Sequence, residues 1–146
     1  MKMTTTYPRS VREKYLGVFQ LARTIDKAKM LASGTLGEYD YSSPMDQALF
    51  SGFGIDGARL ADIVKNGTDR DVEAYVMPLI AKKNAVEIER FNHETLTRKP
   101  MGENLKQFED LRSKVAPSRT DVTTWADLLD LEEGRIVPQQ HTLIGV

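Results

Sequence analysis

The polar residues with the clearest chemical potential in this sequence lie between positions 23 and 46. Arg23 and Lys27 are one helical turn apart, and Asp26 lies three residues after Arg23. An arginine and a lysine on one helix face can hold a carboxylate or phosphate together, with Asp26 orienting the guanidinium. This spacing predicts a site for a small anionic ligand.

A glycine-rich turn follows directly. The run Gly34-Thr-Leu-Gly37 permits backbone conformations that other residues rarely adopt. The next four residues alternate acid and aromatic, so an extended chain places Glu38 and Asp40 on one side and two tyrosines on the other. We predict a short extended or turn segment at residues 34–42. The candidate ligand-binding residues are Arg23, Asp26, Lys27, Gly34, Gly37, Glu38, Tyr39, Tyr41 and Asp46.

The same cluster admits two other interpretations. In a structural one, the charges are a solvated helix face and the tyrosines are packing residues, because i,i+3 pairs contribute only a few tenths of a kcal/mol. In an enzymatic one, Glu38, Asp40 or Asp46 acts as a metal-independent general base with a tyrosine as acid. Such a base should have a pKa raised by burial or by a neighbouring carboxylate.

Length and composition limit the classes of function. A chain of 146 residues with 40% apolar residues predicts one domain over residues 1–146 with a substantial core. The 20 basic and 21 acidic residues are interleaved, which argues against nucleic acid as a partner. The absence of cysteine excludes disulfides, iron–sulfur clusters and thiol catalysis. His93 and His141 lack metal-binding spacing, so we predict neither metal nor cofactor.

The hydropathy pattern gives no sign of a membrane partner. No apolar run approaches the roughly 20 residues that a membrane span needs. The polar stretch from Met1 to Ser10 lacks the apolar centre of a signal peptide. We therefore expect a soluble, cytosolic protein.

Helical signals dominate the chain and must position the cluster. Capping-box patterns begin at Ser10, Ser43, Thr68, Asn84 and Thr124, each with an acid three residues later. Apolar residues recur every three or four positions across residues 18–32, 60–64, 72–80, 88–96, 105–115 and 125–129. The connections are short. We predict an all-α fold, a compact bundle of about six short helices.

Two longer segments raise the question of macromolecular partners. Residues 56–83 have a helix–turn–helix outline, but the acids Asp69, Asp71 and Glu73 would face phosphate, which favours a packing hairpin over a DNA reader. Residues 136–146 carry apolar side chains past the last predicted helix. A third interpretation is therefore an interaction protein whose tail packs across a second copy to form a homodimer, or folds back on its own domain.

Several of these segments resemble a bacterial family catalogued as a domain of unknown function, number 5069. The resemblance rests on Pro8-Arg9-Ser10-Val-Arg-Glu-Lys14, Ala22-Arg23-Thr-Ile-Asp26-Lys27-Ala28-Lys29, Gly34-Thr-Leu-Gly-Glu38-Tyr39, Pro44-Met-Asp46, Phe53-Gly-Ile-Asp56, Pro117-Ser-Arg-Thr-Asp121, Trp125 and Asp127-Leu-Leu-Asp130. It implies a small bacterial, cytosolic protein and brings no established activity. The family has a proline where this chain has Ala22, which leaves open whether the first helix runs through that position.

Overall fold

The computed structural model describes residues 7–139, and within that range every regular element is a helix. The helices are α1 (Leu21–Ser33), α2 (Pro44–Phe53), α3 (Gly57–Asn66), α4 (Asp69–Ala81), α5 (Ala85–Thr97), α6 (Asn104–Val115) and α7 (Trp125–Glu132). The predicted all-α class is confirmed. The chain divides into two compact units, with the boundary between Thr95 and Leu96. The single domain expected over residues 1–146 stays a prediction.

Four of the predicted helix starts are confirmed by their hydrogen bonds. A side-chain oxygen at the capping position accepts the backbone N–H three residues later at Ser43, Thr68, Asn84 and Thr124. At the first three, the acid three residues on also accepts the backbone N–H of the capping residue. These bonds satisfy amides that would otherwise be unpaired at a helix end.

The helix start predicted at Ser10 is wrong, because the first helix begins at Leu21. The Glu13 N–H donates to the Ser10 carbonyl in an isolated turn. Val11 is fully buried, and its carbonyl accepts the N–H of Gln20 at 3.0 Å. Long-range burial therefore overrides the local capping pattern here. Ala22 is the second residue of α1, so the helix includes the position that the sequence analysis left open.

A tight turn precedes α1 and is held from a distant helix. Tyr15 and Val18 exchange backbone hydrogen bonds of 3.0 and 3.1 Å around Gly17, whose φ is +83°. Asn92 of α5 accepts the Phe19 N–H at 3.0 Å and donates to the Gly17 carbonyl at 3.0 Å. One amide side chain therefore satisfies both a donor and an acceptor of the turn, which a single-function side chain cannot do.

The first unit, up to Thr95, has an apolar core built from the predicted helical stripes. Helix α1 packs against α2 and α3, and α3 packs against α4. The buried cluster contains Val18, Leu21, Ile25, Leu49, Phe53, Ile55, Leu60, Val72, Val76 and Ile80. Burial of this apolar surface is the main stabilising contribution to the unit and makes α1 a rigid support for its polar side chains.

The second unit, from Leu96, has a smaller core between α6 and α7. Phe108 packs edge-on against Trp125, with ring centroids 5.0 Å apart. After α7 the chain folds back on this unit, since Val137 is buried and the Pro138 carbonyl accepts a hydrogen bond from Arg119. The rest of the predicted tail, including His141, lies outside the described residues. In the part of the chain that is described, no helix is long and apolar enough to cross a membrane.

Candidate functional site

Asp46 is the centre of a buried polar network that joins α1 to the start of α2. Its side chain is fully buried at the third position of α2. The Oδ1 atom accepts hydrogen bonds from Gln20 Nε2 at 3.0 Å and from Thr24 Oγ1 at 2.5 Å. The Oδ2 atom accepts from the backbone N–H groups of Ser42 and Ser43 at 3.1 and 3.0 Å.

Lys27 completes the network, and each of its three N–H donors has a protein oxygen within hydrogen-bond distance. Its Nζ atom lies 2.6 Å from Asp46 Oδ2, 3.0 Å from the Asp40 carbonyl oxygen and 3.3 Å from Ser43 Oγ. An ammonium group has three N–H donors, and three acceptors are present. A ligand held by Lys27 would therefore have to displace one of these contacts.

The environment of the pair sets the ionisation of both groups. Burial raises the pKa of Asp46, but the Lys27 charge and the hydrogen bonds from Lys27, Thr24 and Gln20 outweigh it, so the pKa is lowered. Burial lowers the pKa of Lys27 against the opposing attraction of Asp46. A carboxylate with a lowered pKa is a weak base. The enzymatic interpretation required a raised pKa, and Asp46 does not have that property.

Backbone strain is concentrated around the network. Gln20 and Ser42 are non-glycine residues with φ of +74° and +75°. Both donate to Asp46, Gln20 through its side chain and Ser42 through its backbone. Such conformations typically cost about 1–3 kcal/mol each and persist where surrounding contacts compensate for them. Nothing in the residue types at these two positions signals the strain, so sequence reasoning missed them.

Arg23 is enclosed rather than presented to solvent. Only 2% of the residue is exposed. One guanidinium nitrogen donates to the Arg9 carbonyl at 3.2 Å, and the group lies over the Tyr39 ring, 5.6 Å from its centroid. Two members of the predicted set, Arg23 and Tyr39, are therefore brought together by a cation–π contact. Burial makes Arg23 part of the packing of the unit.

Asp26 binds Arg9, which is not among the predicted ligand-binding residues. Its carboxylate accepts the Arg9 backbone N–H at 2.8 Å and two side-chain N–H groups of Arg9 at 2.9 and 3.0 Å. The predicted partner was Arg23, three residues before Asp26 on the same helix. The observed partner lies 17 residues away and could be found only from the folded chain.

The predicted turn contributes backbone geometry and one anchored tyrosine. Gly34 ends α1 in the left-handed conformation, and Gly37 also has a positive φ. The Tyr41 hydroxyl donates to the Gly57 carbonyl at 2.7 Å. Burial, aided by the Asp46 charge, raises the pKa of Tyr41. Its proton is therefore held by the protein and is a poor source for acid catalysis.

The side chains of the turn face as the alternation predicts. Glu38 and Asp40 are exposed, whereas Tyr39 and Tyr41 are partly buried. Asp40 enters the network only through its carbonyl oxygen, which accepts from Lys27.

The side chains of the predicted set therefore do not converge on one site. Lys27 and Asp46 belong to the buried network and Arg23 stacks on Tyr39. Asp26 binds Arg9, Tyr41 binds the Gly57 carbonyl, and Glu38 is exposed on the turn.

A groove lies on the other side of α1, and we refer to it as the α1–α4 groove. It has a volume of about 690 Å³ and belongs entirely to the first unit. That volume is in the range typical of sites for small ligands, roughly 300–1,000 Å³. Its lining residues are Arg9, Tyr15, Ile25, Asp26, Lys29, Asp69, Arg70, Val72 and Glu73.

Asp26 is the one member of the predicted set that lines this groove. The residues that sequence reasoning missed there are on the N-terminal segment and α4, which approach α1 only in the folded unit. Lys29, on the same helix as Asp26, also lines the groove. Among residues 7–139, no three histidine, aspartate or glutamate side chains are grouped so that they could hold a metal ion.

These features define an all-α protein with a buried ionic network and an adjacent charged groove in its first unit. Residues 5–135 match the family described as "Domain of unknown function (DUF5069)", and the chain belongs to that family. The resemblance inferred from the sequence motifs is confirmed. A comparison with curated proteins finds no match.

Proposed function

We propose that this chain is a binding module for a small molecule carrying an anionic group, with its site in the α1–α4 groove. The observation that carries the proposal is a groove of about 690 Å³ in which Arg70 lines the wall without an ion-pair partner among the described residues. A guanidinium is suited to carboxylate and phosphate because its planar fork can donate two parallel hydrogen bonds.

This proposal keeps the predicted ligand class and moves the site. The turn from Gly34 to Tyr41 offers a less suitable place, since the polar groups of Lys27 and Tyr41 are already bound to protein atoms. In the groove, by contrast, Arg70 is exposed and forms no ion pair with a described residue. We also propose that the protein acts in the bacterial cytoplasm, as the resemblance to the family implies.

The test is a thermal-shift screen of small carboxylates, phosphates and nucleotides on the full chain and on two variants. Arg70→Ala removes the proposed anchor. Arg90→Ala removes an exposed arginine of α5 that does not line the groove and is the matched control. A ligand at about 100 times its Kd stabilises by roughly 2.7 kcal/mol, which raises the unfolding midpoint of a chain this size by about 3–6 °C.

We expect at least one anionic compound to raise the midpoint of the wild type and of Arg90→Ala but not of Arg70→Ala. A compound that stabilises all three proteins equally would place its site elsewhere. A screen in which no anionic compound raises the midpoint would overturn the proposal.

A further inference from the structure

The wall of the α1–α4 groove formed by α4 carries three charged residues, of which Asp69 is paired with Lys29 of α1 and the other two, Arg70 and Glu73, have opposite signs. Arg70 and Glu73 are three residues apart on this helix, so their side chains project from the same face. Both residues are exposed. Neither forms an ion pair with any residue in the described range.

The other charges of the groove are neutralised in pairs. Arg9 binds Asp26 through two side-chain hydrogen bonds, and Lys29 lies 3.1 Å from Asp69. Each of these two pairs therefore has little net charge. The charge available to a ligand is therefore the dipolar pair on α4, one group of each sign.

Tyr15 adds a hydrogen-bond donor near this pair. It lines the groove, and burial, together with the nearby charges of Glu73 and Asp69, raises the pKa of its hydroxyl. Arg9 opposes that shift without reversing it. The hydroxyl therefore keeps its proton at neutral pH and can donate it to an oxygen acceptor.

Two apolar residues close the floor of the groove. Ile25 of α1 and Val72 of α4 both line it and belong to the buried core, with 2% and 3% of each residue exposed. With so little of either residue exposed, the charged and hydroxyl groups of the walls, and not apolar contact, set the affinity for a ligand.

We propose that the α1–α4 groove binds a small zwitterion of the α-amino acid class. The ligand carboxylate accepts hydrogen bonds from Arg70 and Tyr15, and its ammonium donates to Glu73. This inference rests on the proposed function, since it adds a cationic group to the anionic ligand of that proposal.

Three probes of the same carbon skeleton separate the contributions of the two charges. L-Leucine has both charges, 4-methylpentanoate lacks the amine, and isoamylamine lacks the carboxylate. Isothermal titration of the full chain with each probe measures which groups the groove requires. Loss of one charge-assisted contact should weaken binding by about tenfold or more.

The variants are Arg70→Gln and Glu73→Gln, which remove one charge each with little change of shape. Their matched controls are Arg90→Gln and Glu89→Gln, exposed neighbours on α5 outside the groove. We expect L-leucine to bind at least about tenfold more tightly than either single-charge probe. Arg70→Gln should lose the preference over isoamylamine, Glu73→Gln should lose the preference over 4-methylpentanoate, and both controls should keep both preferences.

Each alternative result separates the two proposals. Equal binding of L-leucine and 4-methylpentanoate would overturn the zwitterion while leaving an anion site. If none of the three probes binds but a compound of the anion screen stabilises the protein through Arg70, the zwitterion is again overturned and the anion site stands. Failure of the probes together with an empty anion screen would overturn both.

Discussion

The Nζ atom of Lys27 lies 2.6 Å from Oδ2 of Asp46, and neither side chain is more than 5% exposed. This pair fastens the middle of α1 to the first turn of α2 across 19 residues of sequence. It also holds the turn between these helices, because Lys27 binds the Asp40 carbonyl and Asp46 binds two serine amides. The predicted candidate residues therefore include the main polar support of the first unit.

Breaking this pair should strongly destabilise the first unit. Replacing Lys27 with Met keeps the length of the side chain but leaves the Asp46 carboxylate buried without its cation. Removing one partner of a buried ion pair typically costs about 3–5 kcal/mol. The measurement is the free energy of unfolding from urea denaturation followed by circular dichroism. Asp46 keeps its other hydrogen-bond donors in this variant, so we expect the folded molecules to retain the start of α2.

The control for this prediction is Lys29→Met on the same helix. Lys29 lies 3.1 Å from Asp69, with side chains 47% and 88% exposed. An exposed pair of this kind contributes less than about 1 kcal/mol. If Lys27→Met and Lys29→Met lower the free energy of unfolding by similar amounts, burial is not the reason that the Lys27–Asp46 pair stabilises the protein.

Acid should weaken the protein through Asp46. Its pKa is lowered in the folded state, so the folded state binds fewer protons than the unfolded state in the acid range. The stabilisation is fully present above the unfolded pKa, about 4, and is lost as the pH falls through the folded value. Asp46→Asn lacks this carboxylate, so its stability deficit relative to wild type should shrink as the pH falls below about 4.

The check is a series of urea denaturations between pH 7 and pH 2.5 on wild type and Asp46→Asn. Above about pH 5 the difference in free energy of unfolding should be constant. A difference that stays constant over the whole series would mean that Asp46 has an ordinary pKa in the folded protein.

Arg23→Ala should lower stability whether or not a ligand is present. The substitution removes a residue that is 2% exposed, its hydrogen bond to the Arg9 carbonyl and its contact with the Tyr39 ring. Loss of a charge-assisted hydrogen bond and a buried cation–π contact costs about 2–4 kcal/mol. Arg23→Lys should recover only part of this loss, because an ammonium lacks the planar fork.

Thermal unfolding of the two Arg23 variants beside Arg90→Ala measures this effect. Arg90→Ala is expected to unfold within about 0.5 kcal/mol of wild type, as exposed substitutions usually do. An Arg23→Lys variant as stable as wild type would contradict a role for guanidinium geometry. Because of the expected stability loss, Arg70 is the better residue for testing ligand binding.

Asn92 should need both its donor and its acceptor. An Asn92→Asp side chain can still accept the Phe19 N–H, but it places a carboxylate against the Gly17 carbonyl in place of a donor. Leaving a buried acceptor without a donor costs about 1–3 kcal/mol, and for the partly buried Gly17 carbonyl we expect a loss at the lower end of that range. Hydrogen exchange at the Phe19 amide should therefore become faster, since opening of the turn requires less free energy.

Asn84→Asp is the matched control on the same helix. Asn84 caps α5 by accepting the Glu87 N–H, a role that aspartate fills about as well. This variant should keep wild-type exchange at Phe19. Equal exchange rates at Phe19 in Asn92→Asp and wild type would show that the turn does not depend on the amide donor.

The predictions were correct where the interaction joins residues close in sequence and wrong where it joins distant residues. The capping patterns at Ser43 and Thr68 were predicted because their bonds join residues three apart. The same pattern at Ser10 failed because burial of Val11 and the bond from Gln20 hold that segment outside any helix. A local pattern of this kind predicts a helix only where no stronger long-range contact competes.

The partners of the candidate residues show the same limit. The spacing placed Asp26 next to Arg23, and the folded chain places it against Arg9. Lys27 and Asp46 were both in the predicted set, but nothing in the sequence indicated that they neutralise each other. Pairings over 17 and 19 residues depend on how α1, α2 and the N-terminal segment pack.

The sequence by itself determined the all-α class, most helix starts and the facing of the acids and tyrosines after Gly37. These features depend on backbone hydrogen bonds and side-chain alternation within a few residues. Only the tertiary structure decided that Lys27 and Asp46 form a buried pair, that Arg23 is enclosed, and that Arg70 and Glu73 line a groove beside α1. Burial and long-range pairing are properties of the packed unit, because solvent is excluded only where separate segments meet.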